Sequence, residues 1–253
     1  MKNAWKAMFL TFASVAVLSW YQQGTVVQAK VHKVDTTVVS KKGNKKVSSK
    51  KAKVPKVNYS VTPKPLPNKT GDPYATPTLG TKYFTDTIKY SYGSGVSKQY
   101  KNIYQKAIKS WNYSLKKSNI QVHFKYSESN PEVYLLQSTY LNDYTSTNSE
   151  LLTVGLTEST YQHWYLDKTL PSRNSFVLLY KDSMDSAQLN TSMKQVVATH
   201  ELGHVLGLGH NTEVTNDIMQ PVLLPTVKYR ITSHDLASVK QLYGLKGVTH
   251  YGK

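Results

Sequence analysis

The 253-residue chain has no cysteine, which excludes disulfides, a thiol nucleophile, thiolate zinc sites and iron–sulfur clusters. Acidic residues are almost missing from one end. Residues 1–70 hold the single acid Asp35 against 14 lysines, a net of +13. Residues 71–253 carry 18 Lys+Arg against 14 Asp+Glu, a net of +4, so most of the basicity belongs to the N-terminal segment. Long apolar runs are lacking as well: the stretch from Ala7 to Trp20 falls short of the about 20 residues a membrane helix needs. What remains is ordinary. Hydrophobic residues make up 39% of the chain, enough for a packed core in one large domain or two small ones.

The apolar run follows Lys2 and Lys6 and precedes small residues at Val27 and Ala29, the order of a secretory signal peptide over residues 1–29. An uncleaved anchor is the alternative. The expectation is a protein outside the cytoplasm, secreted or associated with the cell wall. Residues 30–71 are rich in Lys, Val, Ser and Pro and sustain neither a helical nor a strand period. They read as a disordered linker or propeptide, or as a cationic arm for an anionic cell-wall or membrane surface. No specific nucleic-acid partner is expected, and the oligomeric state is left open. Folded structure is expected over 72–253.

Within that span TDTIKYSY, from Thr85, alternates as a strand does. In the next segment Ile103, Ala107, Trp111 and Leu115 recur every four residues, the stripe of an amphipathic helix. NIQVHFKYSE, EVYLLQSTYL, LLTVGLTE and NSFVLLYK read as further strands, and residues 190–207 as a second helix. A last helix runs from Thr232 to Tyr243, where Thr232 and Asp235 have the spacing of a capping box. This order of elements predicts an α/β (α+β) domain built on a mixed sheet with three helices.

HELGHVLGLGH, residues 200–210, gathers three of the chain's eight histidines. His200 and His204 are four apart, so on a helix both imidazoles leave one face and can take two corners of a tetrahedral zinc site. Glu201 points to the side of that face, within reach of a metal-bound water. Gly207 tolerates the left-handed backbone that ends a helix, so the chain can turn and bring His210 back as a third ligand. Three protein ligands leave one corner open, the arrangement of a catalytic zinc. His32, His123, His163, His234 and His250 have no such pattern and read as surface or core histidines.

HELGHVLGLGH, followed by NDIMQP and then by DLASVKQLYG at 235–244, resembles the metzincin zinc endopeptidases, most closely the matrixin branch. The close likeness covers roughly residues 193–244. It implies a zincin-like domain with one catalytic zinc held by His200, His204 and His210, and Glu201 as general base for peptide-bond hydrolysis. It makes Gly207 the turn, Met219 the methionine turn beneath the metal, and Pro221 a lining residue of the substrate pocket. It also implies a protein or peptide substrate lying antiparallel to an edge strand, LLTVGLT.

The chain departs from the matrixin pattern in places. Asn211 follows the third histidine where matrixins usually have Ser. Residues 140–157 lack the His and Asp cluster that holds structural zinc and calcium in animal matrixins, so no structural zinc is expected and calcium is left open. Without cysteine, latency through a cysteine ligand is impossible. Two other readings stand beside the endopeptidase: a cationic surface-binding protein with a vestigial metal domain, and a zinc hydrolase of peptidoglycan cross-links.

Overall fold

The structure is a computed structural model, and it describes residues 65–139, 153–161, 170–224 and 226–244. The signal-peptide reading of 1–29 and most of the 30–71 segment lie outside these residues, as do His32, His163 and His250.

Six strands form one mixed sheet: β1 (Thr81–Lys82), β2 (Thr87–Tyr92), β3 (His123–Tyr126), β4 (Val133–Ser138), β5 (Gly155–Tyr161) and β6 (Leu170–Tyr180). The order is β1-β6-β4-β2-β3, all parallel, with β5 pairing antiparallel to β6. Parallel neighbours need a crossover, and between β2 and β3 it is α1 (Lys98–Lys117). Ser97 caps α1 by accepting the Tyr100 N–H. The expected stripe is fully buried, with Ile103, Ala107, Trp111 and Leu115 all at 1% exposure or less. The central strands supply the facing surface through Val133, Leu135, Val177 and Leu179, in register as Val133↔Ser175 and Leu135↔Val177. On the other face of the same two strands, Tyr134 and Phe176 stack with centroids 5.4 Å apart.

Two short elements escape a reading by periodicity: β1, and the six-residue α2 (Lys181–Ser186) that follows β6 directly. Lys181 pairs with Asp185 one turn on, and Lys194 closes on the same carboxylate. Among the described residues the fold therefore has the mixed sheet and three long helices of the sequence reading, plus one short helix. Strand β5 is shifted from its expected span, starting at Gly155 and running to Tyr161, because its ladder with β6 extends from Gly155↔Leu179 to Tyr161↔Ser172. Among the described residues no helix is long and apolar enough to cross a membrane.

The third helix, α3 (Thr191–Val205), packs against α1 and beneath β5. Trp111 donates its indole N–H to Thr199 O at 2.8 Å and so fixes α3 to the core. The fourth, α4 (Ser233–Gly244), begins with the expected capping box. Thr232 N–H donates to Asp235 Oδ2 (2.8 Å), and Asp235 N–H lies 3.4 Å from Thr232 Oγ1. Upstream chain is strapped to α4: Gln241 reaches Pro67 O and accepts from Lys69 N–H, and His234 pairs with Asp72 at 2.7 Å. That hydrogen bond holds the Asp72 carboxyl below its ordinary range.

Candidate metal centre

His200 and His204 sit one turn apart on α3, both buried, with ring centroids 4.7 Å apart. The helix stops just beyond them. Gly207 takes φ +93, and a methyl group there would run into Thr81 O, so backbone conformation and space both require glycine. The chain then lies along residues 77–79, through Leu79 N–H to Gly207 O (2.7 Å) and Gly209 N–H to Pro77 O (2.6 Å). This return carries His210 to within 5.3 Å of the His200 ring and 5.0 Å of the His204 ring. One ligand atom from each of the three histidines lies within 4.8 Å of the others.

The hydrogen bonds set the tautomers. His200 Nδ1 donates to Ile218 O, and His204 Nδ1 donates to Leu208 O, each at 2.8 Å. A carbonyl oxygen only accepts, so both protons are on Nδ1 and both Nε2 atoms present lone pairs. Those two Nε2 atoms face each other at 3.1 Å. Burial, then His210, pushes His200 down to about 3; burial followed by its two histidine neighbours holds His204 well below its usual range; burial alone lowers His210. All three rings are therefore neutral in the physiological range, the ligand form. Two nitrogens bound about 2.0–2.1 Å from a tetrahedral zinc are separated by about 3.3 Å, close to the spacing here. Converging neutral imidazoles with lone pairs inward fit a zinc ion, and carbonyls behind the ligands are the usual outer support of such a site.

Glu201 is buried between α3 and β5. Thr157 on β5 brings its hydroxyl to 2.7 Å from Glu201 Oε2 and 3.0 Å from Glu201 O. Burial pushes this carboxyl up to about 7, partly opposed by the Thr157 bond.

Met219 is fully buried under the helix: a methyl group at Gly203 would collide with its sulfur. Its turn is held by Met219 N–H to Asp217 Oδ1 (2.8 Å) and by Ile218 N–H to Arg230 O (2.9 Å). The same segment supplies the carbonyl that orients His200, so the methionine turn touches the site through packing and through one histidine. Pro221, two residues on, is partly exposed and leads to the exposed Val222 and Leu224. His123 lies exposed on β3 and His234 pairs with Asp72, so neither joins the cluster.

Three residues of this region carry no signal that sequence reading could use. Gly155 and Thr157 matter only because β5 crosses Glu201, and Asp217 only because it meets Thr232 in the core. Asn211, flagged as a departure, turns out to be structural. Buried beside the third histidine, its amide donates to Tyr74 O and Thr76 Oγ1, both at 3.2 Å.

Comparison with known proteins agrees with this geometry. Over 49 residues the chain is 51% identical to Metalloendoproteinase 1-MMP of Arabidopsis thaliana, a stretch that is 19% of this chain and 13% of that protein. Over 61 residues it is 44% identical to Matrix metalloproteinase-25 of Homo sapiens, covering 22% and 11%. Over 50 residues it is 44% identical to Matrilysin of Rattus norvegicus, covering 19% and 18%. The aligned stretches thus span less than a fifth of each relative. The Matrixin family model matches much more of the chain, residues 90–244. That span runs from within β2 to the end of α4 and takes in every residue that meets at the histidine cluster, and on this extent of match the chain belongs to the matrixin family of peptidases.

Proposed function

We propose that this chain is a secreted zinc-dependent endopeptidase in which His200, His204 and His210 hold one zinc and Glu201 is the general base. The observation that carries the reading is the convergence of three neutral imidazoles, two buried and one half-buried, next to the buried Glu201 carboxyl. When bound, zinc supplies Lewis-acid chemistry, acidifying water and polarising the scissile carbonyl. Glu201 takes a proton from the attacking water as its oxygen adds to the carbonyl carbon, then delivers that proton to the amine nitrogen as the C–N bond breaks. Met219 and the two carbonyls behind His200 and His204 keep the rings in place without touching substrate.

The substrate is a protein or peptide. Its main chain would add as a further strand along β5, which pairs with β6. Pro221 and the exposed Val222 beyond it form the wall for the side chain after the cleaved bond. Residues 1–29 direct export, and the Lys-rich 30–71 segment serves as propeptide or as a tether to an anionic cell surface. Retention of both the full histidine set and Glu201 disfavours a vestigial metal domain, and the family relationship favours ordinary peptide bonds over peptidoglycan cross-links.

The test is digestion of casein and a mixed peptide library by zinc-loaded protein, before and after removal of residues 30–71, with a wall-peptide substrate in parallel. Chelator-sensitive cleavage of casein supports the reading. Cleavage restricted to wall peptides, or none by either form, contradicts it.

A further inference from the structure

We infer that Thr157 is the positioning residue for Glu201, its hydroxyl holding the carboxylate in one orientation under β5. This rests on the proposed role of Glu201 as proton carrier.

Gly155 and Thr157 are two apart on β5 and so face the same side, toward α3. At Gly155 the strand comes so close that a methyl group would lie 2.6 Å from Glu201 Oε1, 2.9 Å from its Cγ and 2.9 Å from Val197 Cγ1. One carboxylate oxygen is therefore packed against the Gly155 backbone, while the other meets the Thr157 hydroxyl at 2.7 Å. A glutamate has three rotatable side-chain bonds, and these two contacts remove the freedom that burial alone leaves. Threonine is suited to the task because its branched Cβ restricts χ1, so the hydroxyl is itself fixed.

Thr157 Oγ1 lies 3.0 Å from Glu201 O as well, and a hydroxyl has one hydrogen to donate. That hydrogen goes to the nearer and charged acceptor, Oε2 at 2.7 Å. Valine has the same shape without the hydroxyl, so it keeps the packing and loses the bond.

The experiment compares wild type, Thr157→Val, Thr157→Ser and Glu201→Gln, all zinc-loaded, by kcat and KM on one peptide and by zinc content. In parallel, the Glu201 side-chain carboxyl carbon is followed by ¹³C NMR, assigned by its absence from Glu201→Gln. Thr157→Val is expected to lower kcat by roughly 10- to 100-fold at unchanged KM and zinc content. Thr157→Ser recovers most of that loss. The Glu201 carboxyl signal moves in the valine variant and stays in place in the serine variant. Thr157→Ala replaces valine should valine not fold. The inference is overturned if Thr157→Val stays within twofold of wild-type kcat while Glu201→Gln is inactive, a result that leaves the Glu201 reading intact. It is equally overturned if the carboxyl signal does not move, whatever the turnover, or if zinc is lost together with activity. Full turnover by Glu201→Gln overturns the Glu201 reading itself and this inference with it.

Discussion

Asn211 and Met219 are joined by a main-chain hydrogen bond, Asn211 N–H to Met219 O at 2.9 Å, so the residue after the third histidine and the methionine turn form one unit. The Asn211 side chain extends that unit to the strap before β1, through Tyr74 O and Thr76 Oγ1. Replacing Asn211 by Ala leaves buried acceptors without their donor. The expected cost is about 1–3 kcal/mol in urea unfolding, with weaker zinc retention because the segment after His210 loses its side-chain ties to residues 74 and 76. Zinc competition against a chromophoric chelator reads the second effect, and an unchanged affinity would show that His210 is held from elsewhere.

A second prediction concerns pH. Asp217 and Asp235 are both fully buried, and the Thr232 hydroxyl lies 2.6 Å from one carboxylate and 3.2 Å from the other. Burial first, then the neighbouring Asp217, raises the Asp235 carboxyl well above its ordinary value. A carboxyl raised in the folded state contributes its stability below the unfolded pKa of 3.8 and loses it as pH rises through the folded pKa. Melting temperatures measured from acid to alkaline pH should therefore fall faster in wild type than in Asp235→Asn, whose neutral amide can donate to Asp217 at every pH. Parallel curves would show that Asp235 does not carry the pH dependence.

Gly207→Ala should be among the most damaging single substitutions. It strains a backbone at φ +93 and drives a methyl group into Thr81 O, so a loss of at least about 2 kcal/mol is expected. Because this turn returns His210 to the cluster, zinc content should fall in the fraction that still folds. Denaturant melts with metal analysis report both.

Met219 separates packing from chemistry. Met219→Ala opens a cavity beneath α3 and should cost about 2–5 kcal/mol, whereas Met219→Leu keeps the volume and should cost under about 1.5 kcal/mol. If the turn acts through packing alone, turnover by the leucine variant stays close to wild type. A large drop in kcat at normal stability would assign the sulfur a further part.

How much was legible in the sequence depended on whether a feature is local. The α1 stripe, the Thr232–Asp235 capping box and the three histidines are patterns within about a dozen residues, and each is present in the fold as read. The backward extension of β6 and the displacement of β5 were not legible, because strand limits there follow from a ladder between segments of no shared periodicity. Thr157 meets Glu201 across 44 residues and Asp217 meets Thr232 across 15, and no spacing rule links them. The histidine cluster was therefore readable, while the groups packed on Glu201 and on the Met219 turn required the fold.

The most direct test of the central claim sets wild type beside His204→Ala and Glu201→Ala, each measured for bound zinc per chain and for cleavage of one peptide. Wild type should bind one zinc and cleave in a chelator-sensitive way, Glu201→Ala should bind one zinc without cleaving, and His204→Ala should do neither. Cleavage by Glu201→Ala at the wild-type rate, or a full zinc complement in His204→Ala, would contradict that claim.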